Sequence, residues 1–227
     1  MTEKNISCPP QNTYERIGIK SICSFSFAIS TNLIYFIWDH IWHMKIEQYR
    51  KNEREIVQDI CIRTGSSDNL VNPEHAFFTL HMYCNPYLDQ GTCFVIRNDE
   101  DVIKGYILGC EDFRKMDFDS YFAEIRNKAP HFVCRCDVSE YEKYYEEYPA
   151  HLHIDILEDY TGNGHGTALM KTLLEDFSSK GIRGIMVGVA KSNERAFAFY
   201  QKMGFRILEE STDGAILGMK LNGGENK

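Results

Sequence analysis

The stretch Tyr160-Thr161-Gly162-Asn163-Gly164-His165-Gly166-Thr167 stands between an apolar run, Leu152 to Leu157, and an amphipathic pattern from about Gly164 to Lys180. That pattern sets Leu169, Met170, Leu173, Leu174 and Phe177 on one helical face. Three glycines at alternate positions let the chain turn tightly and bring its backbone against a ligand with no Cβ in the way. A helix beginning there directs its first N–H groups, and the positive end of its dipole, at the same point. Strand, glycine turn and helix together predict a cradle for a pyrophosphate.

Two familiar cradles do not fit. A nucleotide-binding P-loop needs Gly-Lys-Ser/Thr at the helix start, whereas Gly166 is followed by Thr167. A dinucleotide fingerprint needs Gly-x-Gly-x-x-Gly and an acid closing the next strand. Here the spacing is Gly-x-Gly-x-Gly, and the next apolar run, Gly184 to Ala190, ends without Asp or Glu.

A second motif follows that run: Lys191-Ser192-Asn193-Glu194-Arg195-Ala196-Phe197-Ala198-Phe199-Tyr200-Gln201-Lys202-Met203-Gly204-Phe205. With the glycine turn before it, this segment resembles the GNAT superfamily of N-acetyltransferases, whose second cofactor-binding segment reads Asn-x-x-Ala-x-x-x-Tyr-x-x-x-Gly-Phe. The resemblance implies an α/β chain with the GNAT (acyl-CoA N-acyltransferase) fold, a mixed central sheet with a splayed parallel strand pair and flanking helices. Tyr148-Pro149-Ala150-His151-Leu152-His153-Ile154-Asp155-Ile156-Leu157 is similar to a subgroup related to the acetyltransferase-like domain at the C-terminus of protein O-GlcNAcase. Asp59 to Gly65, Asn85 to Leu88 and Gly105 to Gly109 fit the same subgroup. The match spans about residues 44 to 221 and is strongest from 148 to 208. The glycoside hydrolase that accompanies this module in O-GlcNAcase does not fit in a chain this short.

The resemblance carries site residues with it. Backbone groups of Ile156 and Leu157 would bind pantetheine amides, and the amides of Gly162, Asn163, Gly164, His165, Gly166 and Thr167 would hold the pyrophosphate of acetyl-CoA. Tyr200 lies where the superfamily keeps its general acid, beside the thioester sulfur; the alternative is an aromatic anchor for its helix. Asn193 would touch the cofactor, cap its helix, or do both. The superfamily's usual Gln or Arg at the opening of the glycine turn is Thr161 here, which keeps a hydroxyl but loses charge and reach. His151, His153 and Asp155 alternate and so share one face of their strand, with Leu152, Ile154 and Ile156 on the core-facing side. A carboxylate or histidine on this strand serves several GNAT enzymes as the base that frees the amine. Asp155 is the first candidate and His153 the second, a structural hydrogen bond being the alternative for each. Tyr83 and Tyr87 are placed to line the acceptor pocket.

With 25 basic and 33 acidic residues, the chain does not read as a general nucleic-acid binder and suits cationic amine acceptors. Asp137, Glu140, Glu142, Glu146 and Glu147 read as a solvated acidic face. The eight cysteines include no Cys-x-x-Cys pair and read as reduced thiols in the cytoplasm, with no metal site and no catalytic cysteine expected. Three segments are expected: an N-terminal extension over 1–42, an acetyltransferase domain over 43–221 and a tail over 222–227. Within the extension, Ser21 to Trp38 is uncharged and of about the minimum length for a membrane span. A weak anchor, an extra packed element and an unstructured leader all fit it.

Patterning predicts a strand over 44–49, a helix from Asn52 to Arg63, a loop over 64–69 and a helix from Pro73 to about Tyr83. A hairpin over 93–97 and 102–110, a helix over 118–128 and a closing strand pair over 205–209 and 215–221 complete the pattern; 130–147 stays unassigned. Two functions remain: an acetyl-CoA-dependent N-acetyltransferase moving acetyl to a primary amine in a ternary complex, and an inactive pseudo-acetyltransferase used as an interaction module.

Overall fold

A computed structural model describes residues 44–221. The apolar run 21–38, the rest of the extension and the tail 222–227 lie outside the described residues. Seven strands form one sheet: β1 (Lys45–Gln48), β2 (Thr92–Arg97), β3 (Ile103–Cys110), β4 (Ala150–Ile156), β5 (Gly184–Ala190), β6 (Arg206–Glu210) and β7 (Gly214–Lys220). Their order is β1-β2-β3-β4-β5-β7-β6, and only β4 and β5 run parallel. This is the α/β mixed sheet that the motif order implied.

Helices cover both faces. On one face lie α5 (His165–Ser179) and α6 (Glu194–Lys202). Leu169, Met170, Leu173 and Phe177 of α5 bury completely against Ile107, Leu152, Ile185, Val187 and Leu217. The helix sits so close to β3 that a Cβ on Gly109 would meet Phe177 at 2.8 Å and Leu173 at 2.9 Å. Any side chain there would push the helix off the sheet.

On the other face lie α1 (Arg54–Thr64), α2 (Pro73–Thr79), α3 (Asn85–Gln90) and α4 (Phe118–Lys128). They bury Val57, Ile60, Cys61, Phe78 and Ile125 against Tyr106, Leu108, Cys110 and Met186. The face carrying His151, His153 and Asp155 is therefore a second core, and the division into one core-facing and one open face is corrected: strand alternation feeds two interiors.

Most element boundaries match the patterning within a residue or two, including α4 at both ends. The helix expected to stop near Tyr83 instead continues through a π turn, Leu80–Cys84, into α3. Pro86 stands in the first turn of α3, where its missing N–H costs no helical bond, so it does not end the run. Residues 67–70, read as loop, close a 3₁₀ turn. The unassigned stretch forms two further 3₁₀ turns, Pro130–Arg135 and Ser139–Tyr144. In the acidic cluster Glu146 pairs with Arg114 and Glu147 with Lys220, all well exposed, which is a solvated face. Among the described residues no helix is long and apolar enough to cross a membrane.

Candidate active site

The parallel pair opens almost at once. β4 and β5 are in register only at Ala150↔Ile185 and His151↔Met186, while β5 stays paired with β7 along its whole length. From Leu152 to Ile156 one edge of β4 has no strand beside it, although β3 holds the other edge through Gly105↔Ile156. The Leu157 N–H donates to Lys104 O at 2.9 Å, which sets the alternation of the ladder. The N–H and C=O groups of Leu152, Ile154 and Ile156 then face the gap. Leu157, expected to bind pantetheine, has both backbone groups engaged: its carbonyl also accepts from Tyr160 N–H at 2.9 Å. Ile156 keeps the placement expected of it, and Ile154 joins it.

The glycine turn stands at the end of β4. Gly162 and Gly164 have φ of +84° and +85°, a region that strains any residue with a Cβ, and a Cβ on either would meet nothing within 4 Å. The turn is thus shaped for glycine by backbone conformation and open on its outer side. Gly164 is the N-cap of α5, and the first bond of the helix runs from Ala168 N–H to Gly164 O. Among the described residues the amides of Gly164, Gly166 and Thr167 have no protein acceptor, which leaves an anion cradle at the positive end of a fifteen-residue helix. The buried His165 ring bonds the Tyr160 carbonyl at 2.8 Å and pins the turn to its helix. Thr161 Oγ1 donates back to Glu158 O, so the hydroxyl retained at this position is spent on the turn. Asn163 is exposed at the tip.

Asn193 accepts from Ala196 N–H at 3.0 Å and so caps α6, the structural half of its two expected roles. Tyr200 of α6 is 5% exposed and packs edge-on to Phe199 and Phe205. Burial, with the Asp155 carboxylate as a second cause, raises its phenol above the ordinary range. It therefore stays protonated at neutral pH.

On the far face Asp155 holds two donors. Tyr106 Oη donates to Oδ2 at 2.5 Å and His153 Nε2 approaches the same oxygen at 2.9 Å. Burial works against a charge on His153, but Asp155 and then Cys61 outweigh it and raise the imidazole to about 10. His153 is thus held protonated at neutral pH and donates to the Asp155 carboxyl. Tyr83 stacks on His153 with ring centroids 5.7 Å apart. His151, on the same face but one pleat lower, belongs to a different environment. It accepts a bond with Tyr87 Oη at 2.8 Å, stacks on Phe113 at 4.5 Å, and burial pushes it down to about 3. Tyr87 is 2% exposed and occupied with His151, so of the two tyrosines expected to line an acceptor pocket only Tyr83 lies against the pair.

Cys61 was overlooked in the sequence. It faces inward from α1 and reaches His153; a bond from Cys84 outweighs burial and lowers its thiol to about 6, while the Cys84 thiol is raised by the same bond. The only sequence signal was the helical spacing of Val57, Ile60 and Cys61, which marks a core face and does not say what that face meets.

Comparison with known proteins agrees with this geometry. Residues 62–205 match the model of the acetyltransferase (GNAT) family, whose co-substrate is acetyl-CoA. The crystal structure of SsHAT is 27% identical, with a TM-score of 0.66, covering 78% of this chain and 98% of that one. The crystal structure of PH1933 from Pyrococcus horikoshii OT3 shares the fold at 18% identity and a TM-score of 0.52, over 79% of this chain and 99% of that one. With its parted strands, glycine turn and capped helix matched by a family model over most of its length, the chain belongs to the GNAT acetyltransferase family.

Proposed function

We propose that this protein transfers acetyl from acetyl-CoA to a primary amine, of a small molecule or a protein, by direct attack in a ternary complex. The observation that carries the reading is the parting of β4 from β5 after His151↔Met186, with unengaged amides in the turn that follows β4 and a protonated phenol on the helix that follows β5.

In this reading the amides around Gly162, Asn163, Gly164, His165, Gly166 and Thr167 hold the pyrophosphate, and backbone groups of Ile154 and Ile156 bind pantetheine. Leu157 and Asn193 shape the turn and the α6 terminus rather than contact the cofactor. The amine must lose a proton before it attacks. Asp155 accepts that proton, directly or through water. The amine attacks the thioester carbonyl, the tetrahedral intermediate collapses, and Tyr200 donates to the departing sulfur. Tyr83, stacked on His153, forms part of the acceptor wall. We place the chain in the subgroup related to the O-GlcNAcase module and assign it to the cytoplasm.

One observation favours the second reading, an inactive module: Asp155 already accepts from Tyr106 and His153, which weakens it as a base. Calorimetry with acetyl-CoA decides the first step. Micromolar binding, weakened at least about tenfold by Gly164→Glu, is expected, because a carboxylate in the cradle opposes the pyrophosphate. Thiol release across an amine panel then tests turnover. No binding, or binding without turnover, selects the inactive module, and no binding also defeats the cofactor assignments.

A further inference from the structure

Cys61 of α1 and His153 and Asp155 of β4 converge on one point. One ligand atom from each, the Cys61 sulfur, a His153 ring nitrogen and an Asp155 oxygen, lie within 4.8 Å of one another. This spacing separates two chemistries. A linear thiol–imidazole–carboxylate relay, as in a cysteine nucleophile, uses opposite ring nitrogens and sets sulfur roughly 8 Å from the carboxylate oxygen. Ligands around a tetrahedral zinc ion lie about 3.3–3.6 Å apart, given bonds of about 2.0–2.3 Å. The arrangement is convergent: His153 Nε2 and the Asp155 oxygen are 2.9 Å apart, so completing the set means parting these two by about 0.5 Å and drawing the sulfur in by about 1 Å.

We propose that Cys61, His153 and Asp155 form a binding site for a borderline-soft divalent cation, Zn²⁺ foremost, whose occupancy removes Asp155 from acetyl transfer. The donor set selects the metal. A thiolate excludes Mg²⁺ and Ca²⁺ as preferred ions, and thiolate, imidazole and carboxylate together suit Zn²⁺. Charge supports it as well: a thiolate and a carboxylate balance a dication inside an interior walled by Tyr106 and Tyr83. The second shell is present, since Tyr106 Oη donates to the Asp155 oxygen. The π turn ending at Cys84 places a further thiol beside Cys61, and such turns occur often at functional sites. Binding releases the proton held between His153 and Asp155 to solvent.

The inhibitory consequence rests on the role proposed for Asp155; the binding does not. The test uses the full chain stripped with chelator and titrated with Co²⁺, then with Zn²⁺. One equivalent of Co²⁺ is expected to give a thiolate-to-cobalt charge-transfer band in the near ultraviolet, and Zn²⁺ to displace it. Cys61→Ser should abolish the band and weaken Zn²⁺ at least about tenfold, whereas Ser at the exposed Cys134 should leave both intact. Circular dichroism checks that Cys61→Ser is folded; Asp155→Asn is the second variant, expected to keep the band but weaken the metal. A band that survives Cys61→Ser, or no metal bound to the wild-type chain, overturns the site. Zn²⁺ should also slow acetyl transfer by the wild-type chain and spare Cys61→Ser. If transfer is undetectable in every sample, the proposed reaction fails while the cobalt result still decides the site.

Discussion

The two faces of the sheet are built by different means. The face under α5 is mainly aliphatic, and one continuous segment, strand to turn to helix to strand, supplies more than half of it. The face under α1 to α4 holds Tyr106, Tyr87, His151, Cys61 and Cys84, brought together from helices, turns and a strand scattered over a hundred residues. The first face positions α5 by apolar packing, and the His165 bond to Tyr160 O ties the glycine turn to it. The second carries buried charge and hydrogen bonds, so its residues are constrained by chemistry as much as by volume. Mutation of the aliphatic face should thus show in stability, except at Tyr200, whose hydroxyl is proposed to act in the reaction, and mutation of the polar face in turnover.

The largest expected effect tests the first half of that contrast. Phe177→Ala empties a fully buried position between α5 and Gly109 and should cost about 4 kcal/mol of unfolding free energy by urea titration. Acetyl transfer per folded molecule should change little. A loss near zero would mean that α5 is not held by this packing and that the cradle it carries has another support.

Next comes the opposite signature. Tyr200→Phe keeps the ring and its contacts with Phe199 and Phe205 but removes the proton. Turnover should fall about 100-fold, close to 2.7 kcal/mol of barrier. Acetyl-CoA affinity by calorimetry should stay within about twofold. Equal losses in affinity and turnover would make Tyr200 a binding anchor, the aromatic role weighed for it from the outset.

The same contrast explains what could be read in advance. Gly164, Asn193 and Tyr200 lie in a continuous pattern whose physical demands are local: a left-handed turn, a cap and a ring one helical face away. Asp155 and His153 could be assigned to one face by alternation. Alternation does not say which backbone groups face a neighbouring strand, so Leu157 was expected in the gap while its N–H is held by Lys104 and its carbonyl by Tyr160. Nor does alternation reveal that the Thr161 hydroxyl is taken up by a carbonyl three residues back. Cys61 was invisible as chemistry because its partners are ninety residues away, and no periodicity pairs a helix position with a strand position.

Asn193→Ala sharpens the boundary between the two kinds of residue. If the side chain only caps α6, stability should fall by about 1 kcal/mol in thermal or urea unfolding. Acetyl-CoA affinity should be unmoved. A tenfold loss of affinity at unchanged stability would return Asn193 to the cofactor.

The smallest effect lies at the rim of the scattered face, where Arg54 of α1 and Asp89 of α3 form a two-pronged pair, Nη1 to Oδ1 at 2.5 Å and Nη2 to Oδ2 at 3.1 Å. The Arg54 bond, against a smaller effect of burial and aided by Tyr121, holds the Asp89 carboxyl below its usual range. A carboxyl lowered in the folded state stabilises above its unfolded pKa, and that contribution disappears as pH falls through the folded value. Both side chains are well exposed, at 34% and 42%, so solvent screens the pair and its worth is about 0.5 kcal/mol. Asp89→Asn should therefore be less stable than the wild type at neutral pH by about that amount. The two should converge in strong acid, once the pH has fallen through that lowered value and both lack the charge. Urea titrations at the two pH values read the difference. Were the gap to persist in acid, α1 and α3 would be joined there by shape and neutral hydrogen bonds, and the polar face would at its edge resemble the aliphatic one.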